Sequence, residues 1–284
     1  LNKKFERSVN KTNPRKEILV INDDGFRAKG IQVLYQMLRE FGNVTVVAPY
    51  EAQSGKSASL TLDRPLMLEK PIQEPATEEL GSLRVYTLTG SPVDCAKLGI
   101  NGFKWEGRMP DLLVSGINHG SNASAASIYS GTLGATTEGT IYGIPSIGLS
   151  INTHDDDPDF TAVLHYGRRF VTRVLEDGLR QGVFLNINFP NLPLEQIRGI
   201  RAARQGRGRW INEFDHRVTK RGKHYFWMVG EFEDEEPVGD PDADHHVLDA
   251  GFISVVPHQI DTTDYEEMER LRELWNFDNE MENK

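Results

Sequence analysis

The stretch Ile18-Leu19-Val20-Ile21-Asn22-Asp23-Asp24-Gly25 decides how the rest of the chain is read. Four consecutive strand-forming apolar residues, bounded by turn residues, have the pattern of a fully buried strand. Asn22-Asp23-Asp24-Gly25 stops that strand with turn chemistry. Beyond it, Ile31, Leu34, Leu38 and Phe41 recur at helical spacing, and Gly42 ends the helix they predict. Val44–Ala48 is a second buried strand, closed by Pro49. Strand, helix and strand in this order predict parallel pairing with a right-handed crossover.

Working outward, the alternation continues. Strands are expected at Arg84–Leu88, Asp111–Val114, Pro145–Ser150 and Val183–Asn188. A helix opens at Ser91-Pro92, with Ser91 at the N-cap and Pro92 at the first helical position. Others are expected from Ser130-Gly131-Thr132 to about Tyr142 and over Phe160–Leu179. Pro49–Leu62 reads as a long functional loop and residues 65–80 as extended or irregular. After Pro190 the alternation fades. Gly199–Ala203, Tyr225–Gly230 and Phe252–Val256 read as strands, residues 231–249 as an acidic, His-containing segment. A terminal helix starts at Thr263, whose Thr263-x-x-Glu266 spacing is that of a capping box. Tyr265, Met268, Leu271 and Trp275 share one of its faces. The fold class is therefore α/β: a mostly parallel sheet over about residues 18–190, then β arms and a terminal helix. Ligands in such folds bind beyond the C-terminal ends of the strands.

Bulk properties exclude several roles. A net charge of −10 over 284 residues argues against a duplex nucleic-acid partner. Cys95 is the one cysteine, so no disulfide forms within the chain, and a small buried apolar role is expected for it. Leu1–Glu17 is polar and basic, unlike a secretory signal, and no apolar run approaches the ~18 residues of a membrane span. A cytoplasmic location and no membrane partner are expected.

Three loops at strand ends carry unusual chemistry. The adjacent carboxylates Asp23 and Asp24 repel each other unless a cation or hydrogen-bond donors compensate, and a hard divalent ion suits such a pair. Read alone, the same residues also make an ordinary Asp-Gly turn. Gln53-Ser54-Gly55-Lys56-Ser57 offers a hydroxyl ligand at Ser54 and close backbone approach at Gly55. It is not a nucleoside-triphosphate P-loop, because Tyr50 stands where the first glycine is required. Ser115 to Asn122 brings Asn118 as a neutral oxygen ligand and Asn122 as an amide donor, with His119 more simply an exposed loop residue. Just behind, Ser130-Gly131-Thr132 opens a helix, whose free amides attract anions, although the same residues also serve as a plain cap. A cation beside a phosphate cradle suits phosphoryl chemistry.

These residues resemble the survival protein SurE family. The resemblance starts with Ile18-Leu-Val-Ile-Asn-Asp-Asp-Gly25 and Ala28-x-Gly30-Ile31. It continues through Ala48-Pro49, Gln53-Ser54-Gly55, Thr89-Gly90-Ser91-Pro92-x-Asp94-Cys95 and Pro110 to Asn122. Tyr129-Ser-Gly-Thr132, Glu138-Gly139 and Asn186-x-Asn188-Phe189-Pro190 complete it. The match covers roughly residues 18–205, with a looser echo at Gly251–Pro257. The acidic segment 231–249 has no clear counterpart. The resemblance implies a three-layer αβα Rossmann-like fold whose terminal helix serves oligomerisation. Residues 1–17 read as a disordered arm, and the resemblance implies a phosphatase domain over 18–258 and a C-terminal helix over 259–284.

It further implies one divalent cation per subunit, Mg²⁺ or Mn²⁺, on Asp23, Asp24, Ser54 and Asn118. Asn22, Gly55, Asn122, Ser130, Gly131 and Thr132 are the substrate-side candidates, and Asp23 is the best candidate for a further catalytic role. The expected activity is metal-dependent hydrolysis of nucleoside 5′-monophosphates, with side activity on 3′-nucleotides and short polyphosphate, in a homodimer or homotetramer. The alternatives are a non-catalytic nucleotide-binding protein and a receiver-like signalling module. The latter lacks its lysine here, since Ser150 leads into Ile151-Asn152-Thr153.

Overall fold

The computed structural model describes residues 15–153, 155 and 157–275. β1 (Lys16–Ile21) lies near the middle of a nine-stranded sheet, where Ile18, Leu19, Val20 and Ile21 are completely buried. It pairs in parallel with β2 (Gly42–Pro49) on one side and β5 (Leu112–His119) on the other. Beyond β2 come β4 (Leu83–Leu88), parallel, and β3 (Leu68–Glu74), antiparallel. Beyond β5 come the parallel strands β6 (Ser146–Asn152) and β7 (Val183–Pro190). β13 (Ile253–Gln259) then runs antiparallel to β7, and β8 (Ile200–Ala202) closes that edge.

Helices cover both faces. α1 (Lys29–Leu38) and α5 (Thr161–Asp177) bury Ile31, Leu34 and Val171 against Ile18 and Val20. α2 (Pro92–Trp105) and α4 (Gly131–Ile141), the latter preceded by the single turn α3 (Ala126–Tyr129), bury Cys95, Ile100 and Ala135 against Leu19 and Ile21. Each such side chain contributes roughly 1.5–3 kcal/mol when fully buried, so a strand with two buried faces is apolar without a break. The expected buried role of Cys95 holds, and burial raises its thiol pKa well above the usual value.

β5 departs from regular alternation. Its pairing with β6 shifts between Ser115 and Asn118, where β5 carries one residue more than its neighbour. Val114 and Ile117 consequently share the α1 face, although three positions separate them. The chain here includes a cis Gly116–Ile117 peptide. The expected strand Asp111–Val114 thus continues to His119, and the segment read as a loop is mostly strand.

Other boundaries also moved. β1 begins at Lys16, so only residues 1–14 of the expected N-terminal arm lie outside the described residues. Residues 65–80 contain β3. The region after Pro190 is richer than expected. β9 (Gly208–Ile211) pairs with β12 (Glu231–Asp234), and β10 (Phe214–Val218) with β11 (His224–Met228). β11 corresponds to the strand expected at Tyr225–Gly230, although all five of its residues are exposed. A short helix, α6 (Asp244–Asp249), interrupts the acidic segment. Ser91 caps α2 as expected, and Asp94 returns the bond to the Ser91 amide. At α7 (Tyr265–Trp275) the cap is Asp264, whose Oδ1 accepts from the Glu267 amide at 2.9 Å, one residue later than expected. Residues 276–284 of the expected terminal helix lie outside the described residues.

Two glycines test this packing with opposite signs. A Cβ at Gly30 would lie 2.4 Å from the Ile117 carbonyl oxygen, whereas one at Gly102 in α2 meets nothing within 4 Å. Gly30→Ala should destabilise the fold by about 1–3 kcal/mol despite its better helix propensity. Gly102→Ala should stabilise it by about 0.5–1 kcal/mol. The midpoints of urea unfolding measure both.

Candidate active site

β1 delivers Asn22, Asp23 and Asp24 to the C-terminal rim of the sheet. Asn22 is completely buried and its Nδ2 donates to the Gly25 carbonyl at 2.9 Å, bracing the turn. Gly25 holds φ +89°, with the Glu51 backbone 3.3 Å from where a Cβ would sit, so a side chain there is both strained and crowded. Asn22 Oδ1 has no hydrogen-bond partner among the described residues. Asn22 thus braces the turn that carries the carboxylates.

Asp23 is 4% exposed. The Thr132 hydroxyl donates to its Oδ1 at 2.7 Å, and the backbone amides of Gly131 and Thr132 also bond to it. A Cβ at Gly131 would sit 2.9 Å from the Asp23 Cβ, so only glycine lets the start of α4 come this close. Burial raises the Asp23 pKa, and these donors oppose that rise. The helix start expected to cradle phosphate faces this internal anion, and the positive end of α4 stabilises Asp23. Ser130 is its cap, accepting from the Leu133 amide at 3.1 Å.

Asp24 is half-buried beside Asp23. Its Oδ2 accepts from the His119 amide at 3.2 Å. Burial first, and the Asp23 charge second, raise its pKa to about 7. Asn118 is 9% exposed, and its Nδ2 donates to the Gly120 carbonyl at 2.8 Å, which leaves its amide oxygen as an available ligand. His119 is exposed, as expected. The Ser54 turn is tied to the same centre through the Gln53 amide, which donates to the Asp23 carbonyl at 2.7 Å. Ser54 and Gly55 are exposed there, and Gly55 takes φ +70° with open space around it.

Two half- to fully buried carboxylates with raised pKa values, with the Asn118 amide oxygen and the Ser54 hydroxyl as further donors, would make an all-oxygen donor set. It fits a hard divalent cation, which would relieve the repulsion that the fold leaves between Asp23 and Asp24.

Asn122 does not join this set. Its Nδ2 donates to Ser150 Oγ at 2.8 Å, its amide to Asn188 Oδ1 at 2.8 Å, and its carbonyl accepts from Asn186 Nδ2 at 2.9 Å. Asn188 Nδ2 in turn donates to Asn186 Oδ1 at 2.9 Å. Asn122 anchors the loop behind the site. Sequence reading missed the function of Asn186 and Asn188 as supports of this loop. Two asparagines at a spacing of two on a buried strand were the available signal, since buried amides require partners.

The profile of the family described as "Survival protein SurE" matches residues 18–212, from β1 through β9. A protein named 5′-nucleotidase SurE from Phocaeicola vulgatus is 42% identical over 92% of this chain and 97% of its own length. One of the same name from Flavobacterium psychrophilum is 41% identical over 89% and 95%. The crystal structure of the SurE protein from Aquifex aeolicus has a TM-score of 0.75 at 34% identity, covering 91% of this chain and 99% of that one. Profile, relatives and solved structure coincide over the strands that carry Asp23, Asp24 and Asn118, and the chain belongs to the SurE family.

Proposed function

We propose that this chain hydrolyses nucleoside 5′-monophosphates to nucleoside and phosphate, using one divalent cation, Mg²⁺ or Mn²⁺, held by Asp23, Asp24, Ser54 and Asn118. The observation that carries this reading is the Asp23–Asp24 pair, buried side by side with too few donors for two charges. The names of its relatives support the nucleotidase assignment. Such a cation neutralises phosphate charge and polarises the phosphoryl oxygens. The residues of the chain supply position. Thr132 and the amides opening α4 fix Asp23, the candidate for direct participation. Because those donors are spent on Asp23, phosphate recognition passes to the unobstructed amide of Gly55 and the rim around Gly120. A cavity of about 240 Å³ beside the Ser54 turn, lined by Tyr50, Gln53, Arg64 and Leu88 among others, gives room for sugar and base. Its open side is compatible with 3′-nucleotides and short polyphosphate.

Assembly as a homodimer or homotetramer completes the proposal. Phe226 and Trp227 on β11 are 58% and 59% exposed, and Tyr265 and Trp275 on α7 are also exposed. An apolar patch of this kind marks an interaction surface. Among the described residues no helix is long and apolar enough to cross a membrane.

Asp23→Asn and Asp24→Asn should each lower turnover of a nucleoside 5′-monophosphate by at least ~10²-fold, and excess chelator should do the same to the parent chain. Full activity in either variant, or in chelator, removes the reading. A panel of mononucleotides and short polyphosphate with Mn²⁺ separates it from non-catalytic binding.

Without a cation, Asp24 also sets a pH dependence of stability. Its folded pKa of about 7 exceeds the usual 3.8, so between those values the folded state binds more protons than the unfolded one. Stability therefore falls as pH rises through that window. Asp24→Asn should raise the melting temperature of the metal-free protein at about pH 8, and the gain should shrink toward about pH 4. Thermal melts across pH check this.

Truncation near residue 260 should lower the mass seen by light scattering. An unchanged mass would remove α7 from the assembly.

A further inference from the structure

The acidic segment beyond the SurE match carries a cluster whose chemistry differs from that of the all-oxygen rim. β12 ends on Asp234, and α6 places His245 and His246 in its first turn. Both imidazoles turn their Nε2 toward the one carboxylate. His245 Nε2 lies 3.0 Å from Asp234 Oδ1, and His246 Nε2 lies 2.7 Å from Asp234 Oδ2. The three ligand atoms lie within 4.8 Å of one another.

The far sides of the rings differ. His246 Nδ1 is 3.0 Å from the Asp240 carbonyl oxygen, which can only accept, so that nitrogen carries a proton. His245 Nδ1 is buried without a hydrogen-bond partner among the described residues and lies 3.5 Å from Asp244 Oδ1. With Nδ1 protonated, a neutral His246 would aim its Nε2 lone pair at a carboxylate oxygen 2.7 Å away. Two acceptors at that distance repel, and the contact requires a positive charge between or on them. A proton is one such charge, and the bond to Asp234 does raise the His246 pKa. A metal ion is the other. Imidazoles whose second nitrogen is held by a carbonyl or carboxylate are the arrangement that orients metal-binding histidines.

We infer that Asp234, His245 and His246 form a second metal site, distinct from the Asp23–Asp24 rim, for a borderline transition ion of the Zn²⁺ class with water as the fourth ligand. Two imidazole nitrogens and a carboxylate oxygen are a zinc-type donor set, whereas an all-oxygen set suits Mg²⁺ or Mn²⁺. Metal–ligand distances of ~2.0–2.1 Å place tetrahedral ligand atoms roughly 3.3 Å apart, so the present contacts open by a few tenths of an ångström on binding. Asp234 is half-exposed in its side chain, which leaves the fourth position open to solvent.

The ion would act as a fastener. Asp244, next to His245 on α6, is completely buried. It accepts from the Ser124 amide at 3.0 Å and from the Gly206 amide at 2.9 Å. Ser124 belongs to the loop that also carries Asn122. Tying α6 to β12 therefore secures the late segment to the loop behind the rim.

The test uses the full chain stripped of metal and titrated with Zn²⁺ alone by calorimetry, with Co²⁺ as the spectroscopic stand-in. The parent chain should take up Zn²⁺ with a rise in melting temperature, and its Co²⁺ form should show the intense visible absorption of a four-coordinate site. The double variant His245→Ala/His246→Ala should lose one equivalent of Zn²⁺ and the absorption band, whereas Asp23→Asn should keep both. Circular dichroism checks that the double variant is folded, and His246→Gln replaces it where it is not. Equal Zn²⁺ uptake in parent and His variants overturns the proposal. So does a parent chain that takes up no Zn²⁺ or gives only the weak spectrum of six-coordinate Co²⁺, and the histidine pair is then held by protons alone.

Discussion

The contact between Asp23 and the first turn of α4 is the constraint on which the architecture of the rim depends. An aspartate at 4% exposure is costly unless donors meet it. Here the donors come from a different strand–helix connection, more than a hundred residues away, through the Thr132 hydroxyl and two backbone amides. For that meeting to occur, β1 and β5 must be neighbours, α4 must cross back over the sheet, and Gly131 must lack a side chain. Each of these is observed. The same contact explains why the pair Asp23 and Asp24 is asymmetric. Asp23 is supported by donors on one side, while Asp24 receives a single backbone amide and the field of its neighbour.

Much of the fold was legible because its central strands are buried on both faces. Ile18–Ile21 and Val44–Ala48 are buried without a break, with Thr45 their one polar position, a pattern that marks a central strand. The helices announced themselves through spacing and caps, as Ser91 shows. What stayed hidden were elements held together mainly by their own backbone ladders. β9, β10 and β12 present exposed or half-buried side chains on every position, so their register follows from pairing and not from a core. The shift from Thr263 to Asp264 at α7 is smaller and reflects competition between two good caps one residue apart.

The site was legible in its residue types and less so in their roles. Asp23, Asp24 and Asn118 stand at one rim, as their positions after β1 and within β5 required. Asn22, Asn122 and Ser130 were read as substrate-side residues because they stand in loops at strand ends and match the family pattern. The fold also gives each an internal partner: a turn brace, a loop anchor and a helix cap. Sequence shows that a hydrogen-bonding group is present, but the partner it chooses is settled by tertiary neighbours such as Ser150 and Asn188, which lie on other strands. The role of Asp244 was invisible for the same reason, since its partners Ser124 and Gly206 come from distant parts of the chain.

The extra residue in β5 has a consequence for how this rim tolerates change. Along a regular strand the faces alternate, so Val114 and Ile117 would point to opposite helices. They share the α1 face because β5 gains one residue against β6 between Ser115 and Asn118. The parity of every later position is thereby inverted, and Asn118 takes the side on which α4 and Asp23 stand. Were the same residues paired regularly, without the extra step, the asparagine would swing behind the sheet, with every proposed ligand still present in the sequence. In this stretch the irregularity is itself inherited information: the extra residue, and not only the letters around it, decides which side of the sheet the ligand serves.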